Sequence, residues 1–191
     1  MVSKIRELAQ ENEIVTLYHG TVYDFEIIDL TRGKPFKDFG KGFYTTKNRA
    51  HAVSMAERNR EILLPRLQEA NEKPEVNMWL YTYEFSTFAL DKLSVKEFAE
   101  PSREWMLFVG ANRMNEKPQH NYDLVIGPTA NDRTNLSIKT YFFGGYGKVG
   151  SNSAIDFLIQ LIKPYELPPQ IFFGTEKAVQ YLTRIKKERI G

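Results

Sequence analysis

Apolar side chains alternate most clearly between Val76 and Phe85. Trp79, Tyr81, Tyr83 and Phe85 fall on one face, Val76, Met78 and Leu80 on the other. A two-residue period with both faces apolar predicts a long strand covered on both sides. Ile14-Val15-Thr16-Leu17-Tyr18 is β-branched and aromatic and predicts another strand, ending at His19-Gly20. Shorter strands are predicted at Phe43-Tyr44-Thr45-Thr46, at Leu124-Val125-Ile126 (stopped by Gly127-Pro128), from Ile138 to Phe143, and at Gln170-Ile171-Phe172-Phe173.

The helical period appears over 49–63, with Ala52, Val53, Ala56 and Ile62 apolar and Asn48 as the cap. Pro65 and the charged stretch 66–75 are expected to end or interrupt it. Ser102 begins a helix carrying Trp105, Phe108, Val109 and Asn112 on one face. Residues 153–162 form another, with Ile155, Leu158, Ile159 and Ile162 aligned. Residues 3–12 read as a short amphipathic helix. Thr175 caps a final helix whose end would carry Arg184, Lys186, Lys187 and Arg189, where cations suit a helix C-terminus. Residues 31–41, 128–137 and 144–151 read as loops, and Pro164, Pro168 and Pro169 enforce an extended one. Helices and strands are interspersed without a strict βαβ rhythm or repeats, which predicts one α+β domain over 1–191.

Composition narrows the function classes. The 191 residues carry a net charge of +2, too mild to argue for nucleic acid alone. There is no cysteine, so disulfides, thiol nucleophiles and thiolate metal sites are excluded, and a reducing compartment fits. No apolar run has the length of a membrane span, and Met1-Val2-Ser3-Lys4-Ile5-Arg6 lacks a signal peptide's apolar core. A cytoplasmic protein is expected. Thirteen Phe and ten Tyr favour β structure, or flat surfaces for a ligand.

Three motifs invite chemistry. Gly145-Tyr146-Gly147-Lys148-Val149-Gly150 matches G-x-G-x-x-G between a predicted strand and helix. As a dinucleotide fingerprint it lies too late in the chain to be followed by the remaining strands, so a plain loop competes with it. Asp38-Phe39-Gly40 matches the kinase metal-binding tripeptide, but no H-R-D loop accompanies it, and the kinase reading is rejected. His19, His51 and His120 fit no compact zinc spacing, so no metal is expected. His19, beside a glycine, admits both a structural and a chemical reading. The loop cations Arg32, Lys34, Lys37 and Lys41 suit either an anion or solvent.

Tyr18-His19-Gly20-Thr21, followed by Gly42-Phe43-Tyr44-Thr45-Thr46, resembles the ADP-ribosyltransferases of the diphtheria-toxin and poly(ADP-ribose) polymerase type. The wider layout is similar to an uncharacterised bacterial ADP-ribosyltransferase-like family through Trp105, Arg113, Tyr122-Asp123, Gly127-Pro128 and Gln170-Ile171-Phe172-Phe173. The resemblance implies a split β-sandwich of two small mixed or antiparallel sheets with flanking helices. It implies NAD as substrate, a macromolecular acceptor (protein or nucleic acid), and a toxin or effector setting with an antitoxin partner. His19 would bond a ribose hydroxyl of NAD on the adenosine side, and Gly20 would offer N–H and C=O to the carboxamide, where a Cβ would intrude. Tyr44 would stack on nicotinamide, with Thr21 and Gly42 beside it, and the loop cations would meet the pyrophosphate.

The chain departs from that pattern twice. A second aromatic is expected eleven residues after Tyr44, and Met55 stands there. The catalytic Glu is replaced by Gln170, which has no base function and no charge. Glu166 and Glu176 are the nearby alternatives. A module that holds NAD or ADP-ribose without turnover is therefore the second reading, under which Gln170→Glu would gain activity. Arg113 and Asp123 are expected either to pair with each other or to meet the ligand.

Overall fold

The computed structural model describes residues 14–69, 75–130, 132–162 and 169–191. The expected helix at 3–12, most of the Pro-rich loop and Glu166 lie outside these residues.

Among the described residues seven strands form two sheets. The first has the order β1 (Ile14–Thr21), β3 (Met78–Ser86), β7 (Leu182–Ile190) and is antiparallel. The second has the order β2 (Phe43–Thr45), β6 (Pro169–Phe173), β5 (Leu124–Pro128), β4 (Val95–Glu97), with only β4 and β5 parallel. An isolated antiparallel bridge between Tyr18 and Thr46 joins the two.

Alternation builds the layers. Leu124, Ile126, Ile171, Phe173 and Phe43 leave one face of the second sheet and meet Val15, Leu17, Tyr83 and Phe85 of the first in one core. The intervening Val125 and Phe172 leave the opposite face and pack with Trp105, Met106, Val109, Ile138, Tyr141, Ile155 and Leu158. Those residues come from α2 (Arg103–Met114), α3 (Asp132–Phe142) and α4 (Asn152–Ile162). The helix α1 (Arg49–Glu69) covers the outer face of β1, burying only Ala52 and Ala56. The molecule is thus an α+β arrangement of two facing sheets with helices on both outer sides.

Several expectations are corrected. The segments read as a loop at 128–137 and a strand from Ile138 to Phe143 are largely the helix α3. Thr134, Ile138 and Tyr141 are its buried positions, spaced by four and three, whereas Leu136 and Phe143 are exposed. The G-x-G-x-x-G run therefore links two helices rather than a strand and a helix, and Gly144, Gly147 and Gly150 take left-handed turns there. The helix α1 runs through Pro65 to Glu69. Glu61, four residues before the proline, is exposed, so water can take the bond that proline cannot donate. Thr175 does cap a helix, but α5 (Glu176–Val179) is one turn long, and the basic tail is the edge strand β7. Its cations are partnered across the sheet surface: Arg184 with Glu26 at 2.6 Å, Lys187 with Asp24 at 2.5 Å, and Arg189 with Glu75 at 2.5 Å. β1 does not stop at His19-Gly20 but continues to Thr21, and β5 includes Gly127-Pro128.

Among the described residues no helix is long and apolar enough to cross a membrane, and no cluster of three or more His, Asp or Glu residues could hold a metal.

Candidate functional site

The site begins where β1 and β2 part. Tyr18 exchanges both backbone hydrogen bonds with Thr46, at 2.8 and 3.0 Å. In a strand, the N–H and C=O of alternate residues point to the same edge. Gly20 therefore directs its backbone groups to the β2 side, as Tyr18 does, but beyond the single bridge. On its other side, a Cβ at Gly20 would lie 1.8 Å from the carbonyl oxygen of Ala52. Gly20 is thus required by the close approach of α1, which fills the space a Cβ would take, while its backbone edge stays turned toward β2. Met55 is half-buried on that same helix.

His19 lies between the two sheets. Its Nδ1 bonds the backbone carbonyl of Tyr44 at 2.7 Å. A carbonyl can only accept, so Nδ1 carries the hydrogen and the neutral ring keeps a lone pair on Nε2. The ring sits 4.4 Å from Phe43, 5.9 Å from Phe25 and 6.4 Å from Tyr81. Desolvation among these rings pushes its pKa down to about 4, against the raising effect of the Tyr44 carbonyl.

Below the ordinary value of 6.5 the unfolded chain takes up a proton that the folded ring refuses until about pH 4. Stability from this group is full above pH 6.5 and falls as pH falls through that window. The expected loss is of order 2 kcal/mol, below the roughly 3 kcal/mol equivalent of the whole shift because the ring keeps some contact with solvent. His19→Asn keeps a donor for the Tyr44 carbonyl but cannot titrate. Urea unfolding between pH 7 and 4.5 should show a shallower fall in the variant, and equal slopes in the two proteins would refute the assignment.

Tyr44 is tied to the loop before it. Its hydroxyl donates to the Gly40 carbonyl at 2.6 Å and accepts from the Phe39 N–H at 3.1 Å. Burial, then the nearby Asp38 carboxylate, hold its pKa well above the usual phenol value. The ring already lies against Phe172 at 5.1 Å and nearly parallel to Phe39 at 6.4 Å. Thr21 is buried and accepts from the Tyr23 N–H at 3.1 Å, closing a turn. At Gly42 a Cβ would lie 2.3 Å from the Phe172 ring, so that space is occupied by protein.

Gln170 is buried at the start of β6. Phe43 pairs with Phe173, and Tyr44 with Phe172. Side chains alternate, so Gln170, Phe172 and Tyr44 leave one face while Phe43, and the His19 ring packed on it, lie at the other. The three expected site residues are connected through β2, but only Tyr44 and Gln170 share a face. Glu176 is exposed past the far end of β6, beyond the roughly 10 Å of strand that runs from Gln170 to Phe173 at the usual rise per residue.

A residue that sequence reasoning passed over organises this face. Asp38 is 4% exposed. Its Oδ1 accepts from Arg113 Nε at 2.6 Å; its Oδ2 accepts from the Ala130 N–H at 2.9 Å and from Gln170 Nε2 at 2.6 Å. Arg113 also donates to the Ala130 carbonyl at 3.3 Å. The Arg113–Asp123 pair expected as one alternative is absent. Asp123 instead accepts from the Ser94 N–H at 2.9 Å and from Thr175 at 2.7 Å, and faces Lys177 at 3.5 Å. The available signal was Asp38-Phe39-Gly40 itself, a charge directly before two residues that the fold buries. Next to it, Lys37 is pushed down in pKa by desolvation and then by the neighbouring charges of Lys34 and Arg113. That crowding of cations suits an anion.

His120 lies apart from this site, in an open depression of about 470 Å³ lined also by Ser94, Phe108, Gln119, Asn121 and Tyr122. Its Nε2 donates to the Phe39 carbonyl at 2.8 Å and its Nδ1 accepts from the Tyr122 N–H at 3.1 Å. With both nitrogens engaged it is a neutral spacer, not a base.

Neither curated proteins nor solved structures contain a match to the chain. A family model covers most of it: the chain belongs to the family described as "Protein of unknown function (DUF3990)", which matches residues 15–183.

Proposed function

We propose that the protein is an NAD-dependent mono-ADP-ribosyltransferase acting on a macromolecular acceptor. The observation that carries the reading is the seam between the sheets. There, the outward backbone edge of Gly20 lies next to a neutral His19 whose Nε2 can accept a hydroxyl. An amide-reading edge and a hydroxyl acceptor suit the nicotinamide carboxamide and a ribose hydroxyl on the adenosine side of NAD. The fold of two facing sheets with outer helices is compatible with the split β-sandwich of such enzymes.

In this reaction the bond between the ribose anomeric carbon and the nicotinamide nitrogen breaks. Its electron pair leaves with neutral nicotinamide. The acceptor's nucleophilic atom forms the new bond to that carbon and releases its proton to solvent. Nicotinamide is a good leaving group, so the protein contributes orientation and electrostatics. Lys37 would meet the pyrophosphate and Gln170, on the Tyr44 face of β2 and β6, a ribose hydroxyl.

Incubation with labelled NAD and a cell lysate tests the proposal. Wild-type protein should transfer label, and folded His19→Ala and Tyr44→Ala proteins should lose at least tenfold. Transfer unaffected by both changes would eliminate the reading.

The Gln170 arrangement favours a second reading, an NAD or ADP-ribose binder without turnover. Its amide brings no negative charge to an oxocarbenium, and Asp38 is fully occupied by donors. Calorimetric NAD binding without nicotinamide release would select it, and sustained nicotinamide release would exclude it.

A further inference from the structure

The Gln170 side chain has two different ends, and its surroundings decide which goes where. One end meets the Asp38 carboxylate at 2.6 Å and the Pro128 carbonyl at 3.4 Å. Both neighbours are acceptors, so this end is the NH2 group, and Oε1 is turned away from them. Among the described residues none donates to that Oε1. Asp38 cannot turn to avoid this role, because its other oxygen is held by Arg113 and the whole carboxylate is buried.

We propose that Asp38 is a positioning residue: anchored by Arg113, it fixes the Gln170 amide so that Oε1 is the acceptor this pair presents to a ligand hydroxyl. Resting on the NAD reading above, this assigns Gln170 to reading a ribose hydroxyl and makes the site hostile to a carboxylate at that position. The glutamate expected from the resemblance would place a second carboxylate against Asp38. Such a pair cannot ionise together at hydrogen-bond distance. In its protonated form the new carboxyl would imitate glutamine, donating to Asp38 and keeping a carbonyl oxygen for the ligand. Gln170→Glu should therefore lose function as pH rises instead of gaining it.

The described charged and titratable groups facing the pair are Arg113 from α2, Lys37 from the loop and the Tyr44 hydroxyl from β2. β5 and the segment after it contribute backbone groups from Pro128 and Ala130. The Tyr44 hydroxyl, held well above the usual phenol value, stays neutral over the range of the test, and all three groups are common to wild type and Gln170→Glu, so the comparison isolates the new carboxyl.

The test combines thermal unfolding with ligand discrimination. Gln170→Glu should melt within about 2 °C of wild type at pH 5 and about 8 °C below it at pH 8. Gln170→Leu should show a pH-independent offset. By calorimetry, wild type should prefer NAD over an analogue lacking the 2′-hydroxyl of the nicotinamide ribose by about tenfold, one hydrogen bond's worth. Gln170→Glu should keep that preference at pH 5 and lose it at pH 8, and Gln170→Leu should lack it at both. A melting difference for Gln170→Glu that does not change with pH would overturn the anchoring by Asp38. The predicted melting behaviour with no NAD binding in any protein would uphold the anchoring and overturn the NAD reading.

Discussion

Gly20→Ala is expected to destabilise the protein by about 3 kcal/mol or more, at the upper end of overpacking changes in a core. The added methyl would fall 1.8 Å from the Ala52 carbonyl oxygen and 2.6 Å from its carbon. These are backbone atoms of a helix and cannot rotate aside. Either α1 lifts from β1, exposing Ala52 and Ala56, or β1 shifts and breaks its bridge to Thr46. Ala52→Gly should not rescue the variant, because the obstruction is the carbonyl and not the Ala52 side chain. The measurement is urea unfolding of the two single variants and the double. A cost below about 1 kcal/mol for Gly20→Ala would show that the strand and helix have room to adjust. The same geometry warns against reading lost NAD binding in this variant as proof of a ligand contact.

What fills the space beside this glycine was not legible in the sequence. Periodicity speaks of which residues are buried but not of what buries them. Val76–Phe85 was legible as a strand covered on both sides, because its length and alternation leave no other solution, and β3 is central in its sheet. The helix begun by Ser102 was legible through its cap, where Ser102 accepts from the Trp105 N–H at 3.2 Å. Residues 138–143 misled because Ile138, Tyr141 and Phe142 fit short apolar runs of either kind. The deciding buried residue, Thr134, is polar and lies outside the run. The basic tail misled for a different reason. Its cations fit a helix end locally, but β3 has a second edge that needs a partner, and acids from Asp24, Glu26 and Glu75 receive the charges.

The site divides in the same way. His19, Tyr44 and Gln170 were identified by residue type and spacing, and β2 does connect the first two through a backbone carbonyl. Which face each side chain leaves depends on the register of β2 against β6, a long-range pairing that local spacing does not specify. Asp38 and Arg113 are 75 positions apart in the chain, and only folding shows that they meet. Charge alone offered Asp123 as an equal partner for Arg113.

That ion pair gives the second large effect. Asp38→Ala is expected to cost about 3–5 kcal/mol, the range for removing one partner of a buried pair. It would leave the Arg113 guanidinium, the Ala130 N–H and the Gln170 amide without their common acceptor. Asp38→Asn should be nearly as damaging despite its shape. Donors approach both oxygens of Asp38, so whichever way the new amide turns, its NH2 group meets another donor. Arg113→Met should cost less, about 2–3 kcal/mol, because the carboxylate keeps the Ala130 and Gln170 N–H donors and the methionine refills the apolar part of the space. In the double variant Asp38→Ala/Arg113→Met the losses should be well below additive, since the second change removes a charge that the first has already stranded. Unfolding at low and high salt separates this pair from the exposed ones. The side chains are 16% and 5% exposed, so the Asp38→Ala cost should hardly change between about 0.05 and 0.5 M salt. An additive cycle, or a cost that vanishes in salt, would mean that Asp38 is solvated and cannot anchor Gln170.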